Sequence, residues 1–270
     1  MIGATMTRTC AKPVPRGAPR EAAYAKPAPQ TAPRDEPAAK PCGLGLRRVR
    51  LLADVEPQAL DALAQQCRWR HCSAGQRIVA RDSEDHDIYM IVSGKVRVTA
   101  FSSFGRQVTF GEIGSGDWFG ELSAIDGRGR SADVDALEDS VLASMKPAVF
   151  RRLMDEHPAV RERVLGRLVG LVRELSERVF DFSTLGVQDR VYTELLRLAK
   201  QAGIEGNTAR IDPAPNHAEL ASKISTYREQ VTRELSAIAK AGLLQRRDRA
   251  LVLPDVARLE QIVARVRGSS

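Results

Sequence analysis

Between Asp54 and Ala64 the apolar positions Leu60, Leu63 and Ala64 recur at helical spacing, and Pro57 sits just inside the expected helix start. Ordered structure is expected from Leu46 onward. From Arg68 to Met145 the period changes. Short β-branched runs at 77–80, 87–92, 95–101, 107–113, 132–137 and 140–145 are separated by turn residues and predict strands. Ser93-Gly94-Lys95 has the chemistry of a tight hairpin turn, and Ser103-Phe104-Gly105 that of a looser one. Many short strands at such intervals predict an antiparallel roll or barrel. The stretch 119–130 interrupts them, and its local chemistry does not read as strand.

Helical spacing returns over 147–182. There Val164, Leu168, Leu171, Leu175 and Phe182 form a heptad-like stripe, and Leu165, Val169, Val172 and Val179 form a second beside it. One stripe can pack on the strand domain while the other meets a partner helix; a single wide core face is the alternative. A third unit begins after Leu185-Gly186. Its residues 191–199 are amphipathic, and Asn216-His217-Ala218-Glu219 has the form of a capping box opening a short helix over 218–223. Thr226 can cap a longer helix running to Ala241 and closed by Gly242. Residues 243–246 and 250–253 then make a hairpin around Arg247-Asp248-Arg249. Helix, turn, helix, hairpin is the outline of a winged helix-turn-helix.

Composition narrows the class. With 43% hydrophobic and 28% charged residues the chain reads as a globular protein, and 270 residues suit two cores. No apolar run approaches the length of a membrane span, and the N-terminus lacks the apolar stretch of a secretory signal. Residues 1–45 form a tail in which eight of the 14 prolines fall, with Ile2 and Val14 almost alone as aliphatic residues, so disorder is expected there. Cys10, Cys42, Cys67 and Cys72 are scattered at spacings that fit no common metal-ligand pattern, and read as reduced thiols of a cytoplasmic protein. The net charge of +7 is uneven. Residues 1–46 carry +4, residues 47–186 carry −1, and residues 187–270 carry +4, a surplus compatible with nucleic acid at the C-terminal unit.

Two stretches carry chemistry. Phe119-Gly120-Glu121-Leu122-Ser123, followed by Arg130-Ser131-Ala132, gathers a carboxylate, a guanidinium and a hydroxyl in one glycine-punctuated segment. Backbone N–H groups at a helix start attract an anion, and Gly120 lets the backbone come close. Arg130 can grip phosphate oxygens through its planar fork, and Glu121 suits a sugar hydroxyl. On the helix after Thr226, with Arg228 at zero, Glu229 falls about 100° round and Arg233 about 140°, whereas Val231, Leu235 and Ile238 cluster at about 280–340°. Arginine pairs bidentately with guanine and glutamate accepts from cytosine, so this face suits G·C pairs; a merely solvated, charge-laced face is the alternative. No nucleophile–base set, metal-ligand cluster or P-loop emerges, so no enzyme is expected.

These residues resemble the cyclic-AMP receptor protein (Crp/Fnr) family of bacterial transcription regulators, from Leu46 to Val263. The resemblance implies an α+β fold. An antiparallel, jelly-roll-like cyclic-nucleotide-binding β-roll would span 46–158, a dimerisation helix 159–185 and a winged helix-turn-helix 186–270. It implies that Glu121 binds the ribose 2′-hydroxyl and Arg130 the cyclic phosphate with help from Ser131, the backbone of Gly120, Leu122 and Ser123 completing the pocket. Ser176 would reach the base, across the dimer; Leu175 stands where the cyclic-AMP receptor protein has threonine, which leaves cAMP against cGMP open. Arg228, Glu229 and Arg233, with Thr226 and Tyr227 just before them, would bind DNA at a TGTGA-like inverted repeat. The implied protein is a cytoplasmic homodimer that answers cAMP, or else cGMP, without a metal, and meets RNA polymerase but no membrane. The N-terminal cysteine cluster of the family's iron–sulfur sensors is absent, and His71, His86, His157 and His217 read as ordinary polar residues. The alternatives are a cyclic-nucleotide-binding scaffold or module acting on a protein partner, or a family regulator with another effector.

Overall fold

A computed structural model describes residues 43–103 and 105–268. Most of the tail, Cys10, Cys42 and the turn residue Phe104 lie outside the described residues. The chain opens with α1 (Gly43–Leu46), a single 3₁₀ turn at Arg50–Leu52 and α2 (Pro57–Gln66), which buries the expected Leu60, Leu63 and Ala64. Eight strands follow: β1 (Arg68–Cys72), β2 (Arg77–Val79), β3 (Ile88–Ser93), β4 (Lys95–Phe101), β5 (Gln107–Gly114), β6 (Trp118–Phe119), β7 (Asp133–Ala136) and β8 (Ser140–Met145). The stretch between β6 and β7 holds α3 (Glu121–Asp126). Two antiparallel sheets, ordered β1-β8-β3-β6 and β2-β7-β4-β5, face each other across Cys72, Ile91, Val96, Phe119 and Leu142. This is the expected roll.

One turn differs from its sequence reading. Ser93-Gly94-Lys95 closes no hairpin, because β3 pairs with β6 and β8 while β4 pairs with β5 and β7. It is a corner between the sheets, and Gly94 (φ 93°) is needed because a β-carbon would lie 2.7 Å from Ser140 Cα. Turn chemistry is the same for a hairpin and a corner; only the pairing separates them. The looser turn does join a hairpin, β4 and β5 pairing from Lys95↔Gly114 to Phe101↔Gln107.

The expected long helix is two. α4 (Pro147–Glu156) stops at His157, and α5 (Pro158–Thr184) starts afresh, since a proline cannot donate into the preceding turn. Val160 and Val164 are buried in the core that the N-terminal helices, the 3₁₀ turn and α4 share, and Leu168 packs against it. The stripe then leaves the roll: Leu175 and Phe182 are exposed. The second stripe is bare, with Leu165, Val169, Val172 and Val179 at 49, 53, 63 and 64% exposure.

The C-terminal unit contains α6 (Val187–Ala202), β9 (Ile204–Glu205), β10 (Thr208–Ile211), α7 (His217–Lys223), α8 (Arg228–Lys240), β11 (Gln245–Arg247), β12 (Ala250–Leu253) and α9 (Val256–Val266). Its sheet is ordered β11-β12-β10-β9. The capping box forms in full: Asn216 accepts from the Glu219 N–H and Glu219 accepts from the Asn216 N–H. Thr226 does not cap α8. Ser225 takes a positive φ of 55°, the chain needs two more residues to turn, and Tyr227 becomes the N-cap without a side-chain bond. Val231, Leu235 and Ile238 are buried as expected.

Candidate ligand cavity and nucleic-acid interface

β6 ends at Phe119, and Gly120 turns the chain into α3 with a φ of 93°. A β-carbon here would sit 2.6 Å from Arg130 Nη1 and 2.8 Å from the Asp87 carbonyl oxygen, so glycine is what allows the arginine to cross behind the turn. Arg130 is 3% exposed. Its Nη2 donates to Asp85 Oδ2 at 2.9 Å and to the Asp87 carbonyl, and its Nη1 donates to the Gly120 carbonyl at 3.2 Å. Its guanidinium lies 5.5 Å from the centre of the Tyr89 ring, which stacks on Phe119 at 5.0 Å. The Tyr89 hydroxyl donates to Asp85 at 2.7 Å. Burial alone would raise the Asp85 carboxyl, but the bonds from Tyr89, the Asp87 N–H and Arg130 outweigh it and hold it low. Burial, reinforced by Asp85, pushes the Tyr89 phenol up.

Glu121, 6% exposed, opens α3. One carboxylate oxygen lies 3.6 Å from Arg167 Nε on α5; the other, Oε2, is buried with no partner. The Arg167 guanidinium in turn lies 5.0 Å from the centre of the Trp118 ring. The first N–H groups of α3, on Glu121, Leu122 and Ser123, have no carbonyl behind them in the helix.

Glu121, Arg130, Arg167 and the start of α3 line one cavity of about 840 Å³. Gly120, Glu121, Leu122, Ser123, Arg130 and Ser131 all reach it. Leu171 and Leu175 of α5 and Phe110 of β5 add apolar wall, and Arg197, Gln201 and Lys223 come from the C-terminal unit. Ser176 is not brought in: it is exposed, beside Val172, and its hydroxyl donates to the Val172 carbonyl at 2.8 Å. Sequence reasoning missed Arg167, one of several arginines along α5. It also missed Asp85 and Tyr89, although the acidic run Glu84-Asp85-His86-Asp87 just before a strand was a visible signal. Among the described residues no group of three or more His, Cys, Asp or Glu is placed to hold a metal ion. Cys67 is buried, and burial pushes its thiol up to about 12.

On α8 Arg228, Glu229 and Arg233 are all exposed, on the face opposite Val231 and Ile238. Tyr227 is exposed and Thr226 half-buried just before them. Arg246, Arg247 and Arg249 stand exposed on the β11–β12 hairpin nearby, turned by Asp248 at φ 52°. His217 begins α7 with its Nδ1 2.7 Å from Thr232 Oγ1, and burial together with Arg246 and Arg228 lowers its pKa. The arrangement is a cationic surface with one acidic side chain, Glu229, in its middle.

The cyclic nucleotide-binding domain model matches residues 69–157, and the Crp-like helix-turn-helix domain model matches residues 189–262. The CRP-like cAMP-activated global transcriptional regulator of Mycobacterium tuberculosis is 27% identical over 215 residues, covering 79% of this chain and 96% of that one. The cyclic AMP receptor protein of Thermus thermophilus is 29% identical over 212 residues, covering 78% and 95%. A CooA mutant from Carboxydothermus hydrogenoformans shares the fold, with a TM-score of 0.68 over 84% of this chain and 97% of that one at 19% identity. A cyclic nucleotide-binding domain and a Crp-like helix-turn-helix domain in this order, with cAMP-regulator relatives matched over 78–79% of the chain, make it a member of the Crp/Fnr family of transcription regulators.

Proposed function

We propose that the protein is a dimeric, cAMP-responsive regulator whose three units, 46–158, 159–185 and 186–270, sense, pair and bind DNA. The observation that carries the reading is the buried, partnerless Oε2 of Glu121 in the same cavity as Arg130. An acceptor left unpaired out of water costs about 1–3 kcal/mol, and a sugar hydroxyl would satisfy it. Arg130, braced by Asp85, supplies positive charge for a phosphate beside the free N–H groups of Leu122 and Ser123, with Ser131 at the edge. cAMP, with its ribose and cyclic phosphate joined, matches this pairing. Leu175 offers the base no hydrogen bond, so cGMP is the competitor to test.

The bare stripe of α5 is the surface for a second copy. Ser176 shares that outward face with Val172, and in a dimer it would approach the partner's cavity. Arg228, Glu229 and Arg233 would read a TGTGA-like half-site in the major groove, with Thr226 and Tyr227 at the phosphates. Two-fold pairing then calls for an inverted repeat. Such a regulator works in the cytoplasm beside RNA polymerase. No helix among the described residues is long and apolar enough to cross a membrane.

Calorimetric titration with cAMP and with cGMP, followed by binding to a TGTGA inverted repeat at one fixed salt concentration, tests the reading. Heat from one nucleotide together with tighter specific DNA binding supports it. DNA binding with no heat from either nucleotide moves the search to another effector.

A further inference from the structure

His217 turns its ring onto α8, where Nδ1 lies 2.7 Å from Thr232 Oγ1. The Thr232 hydroxyl has a single hydrogen and donates it to the Arg228 carbonyl at 3.0 Å, so toward the ring it can only accept. Nδ1 therefore carries a hydrogen whether the ring is neutral or charged, and Nε2 is the nitrogen that titrates. Among the described residues nothing is bonded to Nε2. The charged groups that face the ring are Arg228 of α8 and Arg246 of β11, and together with partial burial they hold its pKa below the ordinary 6.5. Glu219, the carboxylate on α7, is engaged elsewhere, accepting from Arg97 of β4 and from the Asn216 N–H. Near neutral pH Nε2 is thus a lone pair beside two arginines, on the unit that carries the exposed Arg228, Glu229 and Arg233. The countercharge the ring lacks is an anion.

We propose that His217 contacts a DNA backbone phosphate as the imidazolium, so that each protomer takes up one proton from solvent when it binds DNA. The proposal rests on the reading that α8 binds DNA. A phosphate drawn to Arg228 and Arg246 is repelled by the lone pair of the neutral ring and bonded by the Nε2–H of the charged one. Thr232 fixes the ring from α8 itself, so the contact is made only when that helix is seated. A phosphate carries no base information, so the proton is taken up on any duplex. The phosphate raises the histidine pKa in the complex. A group raised in this way adds affinity that is complete below the pKa of the free protein and is lost as pH rises through the raised one.

Fluorescence anisotropy on the full-length protein, with cAMP and without it, tests the proposal. It reads binding to a TGTGA inverted repeat and to a random duplex at one low salt concentration, from about pH 8 to about pH 6. The parent is expected to tighten on both duplexes, about fivefold per protomer for a one-unit rise in the histidine pKa. Its salt dependence should steepen by about one released counterion per protomer over the same range. His217→Asn keeps a donor for Thr232 where Nδ1 stands but has nothing to titrate, and should lose the gain at the acid end. His217→Arg carries its charge throughout and should bind with a flat pH profile. A histidine that only props α7 against α8 would leave the pH profile of His217→Asn parallel to that of the parent, and that result overturns the proposal. Parent affinity that is flat in pH overturns it as well, with the DNA-binding reading intact. So does a gain confined to the TGTGA duplex, because a phosphate contact is blind to sequence. If neither duplex is bound at any pH, the DNA-binding reading falls and the proposal with it.

Discussion

Arg130 has two employments. It faces the ligand cavity, yet its Nη1 and Nη2 already donate to Asp85, the Asp87 carbonyl and the Gly120 carbonyl, while its Nε is buried without a partner. Arg130→Leu should therefore abolish the nucleotide response and also destabilise the roll by about 1.5–3 kcal/mol, because charged hydrogen bonds are lost and Asp85 is left half-buried without its cation. Thermal melting beside calorimetry separates the two effects; an unchanged melt would mean the brace is dispensable. At this scale the sequence shows the cassette because its residues are neighbours along the chain. Gly120, Glu121 and Arg130 were legible from spacing and side-chain chemistry. Asp85 was not, since its link to Arg130 spans 45 positions. Arg167 was hidden for a related reason: nothing local distinguishes it from Arg163 or Arg173, and only the fold brings it within 3.6 Å of Glu121.

Among the elements, β4 and β5 carry a titration of their own. Burial alone would raise the Glu112 carboxyl, but Lys95, Lys223 and Arg97 outweigh it and pull it from its ordinary 4.5 down to about 2. Glu219 shares Arg97 with it. A carboxyl depressed in the folded state contributes stability that is complete above the ordinary value and is lost as pH falls toward the folded one. Stability should thus decline from pH 4.5 toward about pH 2, and Glu112→Gln should flatten that decline in denaturant titrations across the range. An undiminished slope in the variant would show that other carboxylates carry it. Six of the eight strands of the roll were readable, because β-branched runs between turn residues are a strong local signal; β1 (Arg68–Cys72) and the two-residue β6 contain no β-branched residue and were not. What failed had weak or shared signals. β9 is two exposed residues, β10 alternates Thr208-Ala209-Arg210-Ile211 with one fully apolar position in two, and Ser93-Gly94 looks alike in a hairpin and a corner. α9, with Val256, Leu259 and Val263 buried at helical spacing, was legible and was overlooked.

For the whole molecule the unpartnered side of α5 decides assembly. The helix is about 40 Å long at 1.5 Å per residue. Val172→Glu puts a carboxylate into the middle of its bare stripe, and in a two-fold pair each charge would meet its own copy. The variant should sediment at half the mass of the parent while melting at nearly the same temperature, and should lose preference for an inverted repeat over a single half-site. A variant that still sediments as a dimer would place the pairing surface elsewhere. The order of units and the basic C-terminal third were visible from periodicity and charge. The docking of α7 on β5 was not, because its hydrogen bonds join residues 113 to 122 positions apart and use ordinary surface residue types.

The placement of the two tryptophans has an optical consequence. Trp69 is locked in the core, its indole N–H donating to the Ala64 carbonyl at 3.0 Å. Trp118 stands two residues before Gly120 under the Arg167 guanidinium, with its own N–H buried and unpaired. A Trp69→Phe protein would carry a single tryptophan, buried beneath Arg167, which lines the cavity. Any molecule that draws Arg167 away from Glu121 must change the quenching and the emission colour of Trp118. Entry of an effector should then be visible in ordinary ultraviolet light, without a label.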